Sequence, residues 1–125
     1  GGIYPRDYSG EKVGQSKVSS LISKVTCPVL GMFGEADTSV PLENISRFRR
    51  ELERNHINHW VRLYTDTPHA WMNSTEPGRY REDQSNDAWR ILTAFFEGAF
   101  NGEWGNECHR WHFEPDAAVG YDFAT

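Results

Sequence analysis

The sequence predicts an α/β fold of parallel strands with flanking helices. Three observations predict it. Helix-period and strand-type segments alternate along the chain. One apolar run is continuous, as in a strand covered on both faces. The reactive side chains fall in loops after strands, the usual place for chemistry in open α/β sheets.

The elements follow in order. Residues 1–16 read as loop, punctuated by Gly1, Gly2, Pro5, Gly10 and Gly14. Val18, Leu21, Ile22 and Val25 fall at i, i+3, i+4 and i+7, one face of a short helix. Pro28 ends that helix. Val29 to Gly34 is the nearly continuous apolar run and reads as the first strand. Glu35 to Val40 form its C-terminal loop. Pro41 suits the start of a second helix, where its missing N–H costs nothing. Ile45, Phe48 and Leu52 mark the buried side of that helix. Trp60 to Tyr64 alternates and reads as the second strand. A loop from Thr65 to Gln84 follows, with Ser85 as N-cap of a third helix whose apolar face is Ala88, Ile91, Leu92, Phe95 and Ala99.

Beyond Gly102 periodicity is lost. Residues 101–125 are expected to be an irregular extension, packed down by Trp104, Trp111, Phe113, Tyr121 and Phe123. Residues 1–100 are then the domain proper. Two strands make a poor parallel sheet, so the organisation reads as a piece of something larger.

The composition excludes several classes. Hydrophobic residues make up 38% and charged residues 25%, a globular balance. The net charge is −5 and no basic stripe stands out, which argues against nucleic acid as a partner. No apolar run approaches the ~20 residues of a membrane span, and no signal peptide is visible. Two cysteines, Cys27 and Cys108, are too few for a disulfide scaffold, so free thiols and a cytoplasmic location are expected.

Two loops carry chemistry. One holds Asp37 in Gly34-Glu35-Ala36-Asp37-Thr38-Ser39-Val40-Pro41. The other holds His69 in Thr67-Pro68-His69-Ala70-Trp71-Met72-Asn73. If the strands are parallel, both loops open on one edge. A carboxylate there can fix the tautomer of an imidazole and stabilise the imidazolium formed on proton transfer. The chain order, acid then histidine, is that of α/β-hydrolases. The blander reading makes Asp37 a cap for the helix that follows and His69 a turn residue after Pro68. Glu35 reads most simply as a solvated loop residue, and Trp71 as either pocket lining or core.

These stretches resemble the dienelactone hydrolase family. The likeness extends to Cys27-Pro28-Val29-Leu30-Gly31, to Tyr80 with Asp87-Ala88-Trp89, to Phe95-Phe96, and to the closing Tyr121-Asp122-Phe123. It covers roughly residues 1 to 100, in order. The resemblance implies the C-terminal portion of an α/β-hydrolase fold, with Asp37 as triad acid and His69 as general base. It implies a small ester or lactone as substrate, hydrolysed through an acyl-enzyme intermediate on a cysteine or serine. Trp71, Asn73 and Arg81 are the candidate substrate-binding residues. The family's carboxylate-binding arginine would fall at Asn73, and Arg79 or Arg81, the alternatives for that role, stand at a different spacing, so dienelactone itself is not the expected substrate.

The nucleophile is not expected in this chain. No Gly-x-Ser-x-Gly or Gly-x-Cys-x-Gly turn occurs in it, and one oxyanion-hole donor belongs to that turn. Cys27 sits at the wrong end of its strand, and no activating base is evident near Cys108. The beginning at Gly1-Gly2 fits truncation better than a natural start. The reading is therefore one part of a hydrolase, inactive alone and completed by an N-terminal half. The alternative is a non-catalytic α/β module acting in binding or self-association, since the open flank of the first strand needs cover, possible as a homo-oligomer. No cofactor is expected. Cys108, His109 and His112 hint at zinc, but four ligands are normally needed, and His56 and His59 form only a weak pair on another element.

Overall fold

Two parallel crossovers build the sheet. The computed structural model describes residues 21–104 and, by its backbone, the strand Trp111–Pro115. Strand β1 spans Val29–Gly34, helix α1 Leu42–Arg54, strand β2 His59–Tyr64, helix α2 Glu82–Phe100 and strand β3 Trp111–Pro115. The strand order is β1-β2-β3, and both pairings are parallel. Val29 lies opposite His59 and Gly34 opposite Tyr64, so β1 and β2 end level. Their C-terminal loops therefore leave from one rim.

The period of two along β2 sends its side chains to two faces. Val61 and Leu63 pack with Ile45 of α1 and with Phe33. Phe48 and Leu52 extend this layer to Ile22 and Val29. On the other face Tyr64 packs with Ala88 of α2, Trp71 and Met32. Trp60 stacks on Trp104 just beyond α2, at 6.4 Å between ring centroids. Strands β1 and β2 thus carry packing on both faces, although Val29, Leu30, Met32 and Phe33 of the continuous apolar run stay partly exposed.

Helix α1 buries Ile45, Phe48 and Leu52, the expected face. Ion pairs Arg49–Glu53 and Arg54–Glu51 flank that face, with only Arg54 well exposed. Its end is a Schellman turn. The N–H of Ile57 donates to the Leu52 carbonyl and that of His56 to Glu53, with His56 at φ 54°. Ile57 and Leu52 share a core cluster, which supplies the apolar contact of that motif. Helix α2 ends the same way at Gly102, φ 77°, with Glu103 N–H donating to Gly98 and Gly102 N–H to Ala99.

Several expectations need correction. Pro41 is the N-cap of α1 rather than its first residue, with φ −59° and ψ 149°. Strand β2 begins one residue early, at His59. Helix α2 starts at Glu82 and places Ser85 inside it, buried. Glu82 and Asp83 favour this earlier start, because acidic side chains in a first turn complement the helix dipole. The irregular tail is corrected over Trp111–Pro115, which pairs with β2 as a third strand. Trp111-His112-Phe113-Glu114 does alternate apolar and polar, its two aromatics are good strand formers, and β2 offers an edge to pair with. The other tail aromatics beyond Trp104, and Val18, lie outside the described residues. Trp104 itself is buried, as expected.

Candidate active site

Strand β1 delivers Asp37 to the rim through a tight turn. The Asp37 N–H donates to the Gly34 carbonyl at 3.3 Å. Oδ1 of Asp37 accepts the N–H groups of Ser39 at 2.7 Å and Val40 at 3.1 Å. This is an Asx-type turn, in which a short carboxylate satisfies the backbone just ahead of it. Those donors precede Leu42, and α1 has no side-chain cap. Asp37 therefore organises its loop rather than capping the helix.

Strand β2 delivers His69 to the same rim. Nδ1 of His69 stands 2.9 Å from Oδ2 of Asp37. A carboxylate only accepts, so the imidazole donates from Nδ1; in the neutral ring the acceptor lone pair is then on Nε2. The Asp37 side chain is 10% exposed and that of His69 49%. The two strands ending level, followed by one turn each, bring together residues 32 positions apart.

The two loops are stitched to one another. The Glu35 N–H donates to the Tyr64 carbonyl at 2.8 Å and the Ala36 N–H to the Thr67 carbonyl at 3.0 Å. The Asp66 N–H donates to Oε2 of Glu35 at 3.1 Å, so Glu35 ties the rim and is not merely solvated. A Cβ at Gly34 would collide with the Thr67 carbonyl, so this close approach requires glycine. The Thr67 hydroxyl donates to the Thr65 carbonyl at 2.9 Å.

The three candidate substrate residues serve the histidine loop itself. Trp71 is 6% exposed and packs on Tyr64, with ring centroids 4.9 Å apart. Oδ1 of Asn73 accepts the Thr75 N–H at 3.1 Å and the Thr75 hydroxyl at 2.8 Å. Nη1 of Arg81 donates to the carbonyls of Arg79 and Tyr80, both at 3.2 Å. Among the described residues, neither Asn73 nor Arg81 hydrogen-bonds to the Asp37–His69 pair.

Behind that loop lies a polar cluster the sequence did not announce. The Tyr64 hydroxyl donates to Oδ2 of Asp87 at 2.9 Å, and Arg90 grips Oδ1 at 2.8 Å. Arg62 approaches Oδ2 at 3.4 Å and lies 4.6 Å from the Tyr64 ring centroid. Burial opposes the charge of Asp87, but the hydrogen bonds from Arg90 and Tyr64, with Arg62 nearby, outweigh it and hold the carboxyl below its usual range. Burial, with the bond to Asp87, pushes the Tyr64 hydroxyl well above its ordinary value. The alternation of β2 shows that Arg62 and Tyr64 share a face. Nothing in the spacing shows that Asp87 meets them.

The remaining candidates fall elsewhere. Cys27 is exposed and precedes β1, whereas Asp37 follows it. Six strand residues at ~3.3 Å each separate the two rims by roughly 20 Å. His59 is buried, and burial lowers its pKa despite a 2.9 Å contact with the Ile57 carbonyl. Among the described residues no group of three or more His, Cys, Asp or Glu could hold a metal ion. The Cys108, His109 and His112 side chains lie outside those residues. No helix among them is long and apolar enough to cross a membrane.

Known proteins share this arrangement of sequence. Residues 4–100 match the dienelactone hydrolase family. A protein from Salmonella typhimurium named as a carboxymethylenebutenolidase is 29% identical over 93 residues, covering 70% of this chain and 34% of its own. One of the same name from Yersinia pestis is 30% identical over 69 residues, covering 55% of this chain and 26% of its own. In three dimensions the chain is similar to a crystal structure titled as a dienelactone hydrolase, from Klebsiella pneumoniae. The TM-score is 0.64 at 22% identity, over 70% of this chain and 36% of that one. That likeness carries the α/β-hydrolase type of fold. The chain spans about a third of the length of the relatives it matches.

Proposed function

Because the chain belongs to the dienelactone hydrolase family, we propose that it supplies the acid and the base of an ester or lactone hydrolase, the nucleophile coming from outside these 125 residues. The 2.9 Å contact between Nδ1 of His69 and Oδ2 of Asp37 carries this reading. Asp37 orients the imidazole and stabilises its charged form. Nε2 of His69 takes the proton of a cysteine or serine as that group attacks the acyl carbon, then returns it to the leaving oxygen. Water repeats the cycle in reverse to release the acid.

The second edge of β1 has no strand partner among the described residues. A further parallel strand there would end on the same rim and could bring the nucleophile beside His69. The substrate class is a small ester or lactone. Asn73 carries no charge, which weighs against a substrate recognised by its own carboxylate.

The test is complementation. The 125-residue chain alone should not turn over p-nitrophenyl acetate. Mixed with, or fused to, the N-terminal part of a relative, it should do so, and Asp37→Ala or His69→Ala should abolish the gain. Turnover by the isolated chain that survives both substitutions would overturn the proposal.

A further inference from the structure

The imidazole of His69 is half exposed and has Asp37 as its side-chain partner. That one hydrogen bond can form only if the backbone presents the ring to Asp37. The next residue, Ala70, sits at φ 64°, a conformation that is unfavourable for a residue with a Cβ and persists only when its surroundings impose it. Trp71 follows immediately and is the buried anchor of the loop.

Trp71 is held on two sides. Its ring lies on that of Tyr64, tilted by 55°. Its carbonyl accepts the Arg81 N–H at 2.9 Å, which joins it to the start of α2. Tyr64 in turn reaches three elements. Its carbonyl accepts from Glu35 in the acid loop, its ring bears Trp71, and its hydroxyl hangs from Asp87 on α2.

We infer that the Tyr64–Trp71 pair is the positioning element for His69, fixing the imidazole on Asp37 from behind rather than meeting substrate. The inference rests on the acid–base reading above and reassigns Trp71 from pocket to support. Tyr64 couples the two loops, because one residue contacts both. Asp37 needs no such help, since its own turn fixes its carboxylate.

The experiment is nitrogen-15 NMR of the imidazole in the full 125-residue chain above neutral pH. In the wild-type chain His69 should be held as the Nδ1–H tautomer. In Trp71→Leu it should relax to the mixture of tautomers seen for a free imidazole, with a shift in the same direction in Tyr64→Leu, which removes the ring that bears Trp71. The amide signals of Ser39 and Val40, which report the Asp37 turn, should not move in either. Unchanged tautomer populations in a folded Trp71→Leu or Tyr64→Leu chain would reduce the pair to ordinary core and overturn the inference. Should Trp71→Leu fail to fold, Trp71→Phe, which keeps a ring in the core but shrinks its contact with Tyr64, decides by the same tautomer reading. A wild-type chain that lacks the Nδ1–H tautomer would instead overturn the acid–base reading, and the inference with it.

Discussion

Asp37 and His69 stand 2.9 Å apart on one rim, yet their loops hold them by opposite means. The acid loop is short and self-contained: one carboxylate oxygen takes two backbone N–H groups within three residues. The histidine loop runs from Thr65 to Arg81, and its imidazole is half exposed while its anchor, Trp71, is buried two residues further on. A short loop can organise a functional group by local hydrogen bonds alone. A long one must borrow the core, and it transmits whatever happens there.

The largest test of this contrast is Trp71→Ala. Removing a buried indole should cost about 3–5 kcal/mol in urea unfolding. A cost under about 1 kcal/mol would mean that the histidine loop carries itself. Gly34→Val attacks the seam between the loops and should cost about 2 kcal/mol or more, since backbone must move to admit the side chain. Next comes a paired comparison within the dyad. Asp37→Ala should cost about 1 kcal/mol by stranding two N–H groups, whereas His69→Ala should stay within about 0.5 kcal/mol. Equal costs would erase the asymmetry.

The smallest effect is in acid. Asp87 is held below its usual range, so between the folded and unfolded values only the unfolded chain takes up the proton. The stability it lends is complete above about pH 4 and declines as pH falls through the folded value. Asp87→Asn should flatten the acid limb of the unfolding curve below pH 4. An unchanged limb would show that the cluster behind the histidine loop does not sense acid.

Much of this was legible in the chain. A continuous apolar run, two helical faces and an alternating strand gave the parallel pair, and one residue type after each strand gave the rim. The relatives agree on the family. What stayed hidden depends on tertiary contact. Strand β3 is short and lies against an edge that only the fold creates. His56 ends α1 in a conformation glycine usually takes, with no glycine to mark it. Asp87 meets Tyr64 across 23 positions, a distance no periodicity encodes.

The division of labour within the Asp37 carboxylate makes its two oxygens inequivalent. An amide in its place would have to keep its oxygen toward the Ser39 and Val40 donors, leaving NH2 aimed at the histidine. Nδ1 would then become an acceptor, and the ring's proton would migrate to Nε2, the atom that the proposed base role requires bare. Asp37→Asn would therefore preserve shape and backbone bonding while inverting the polarity of the imidazole, so the rim would look intact and face the wrong way electronically.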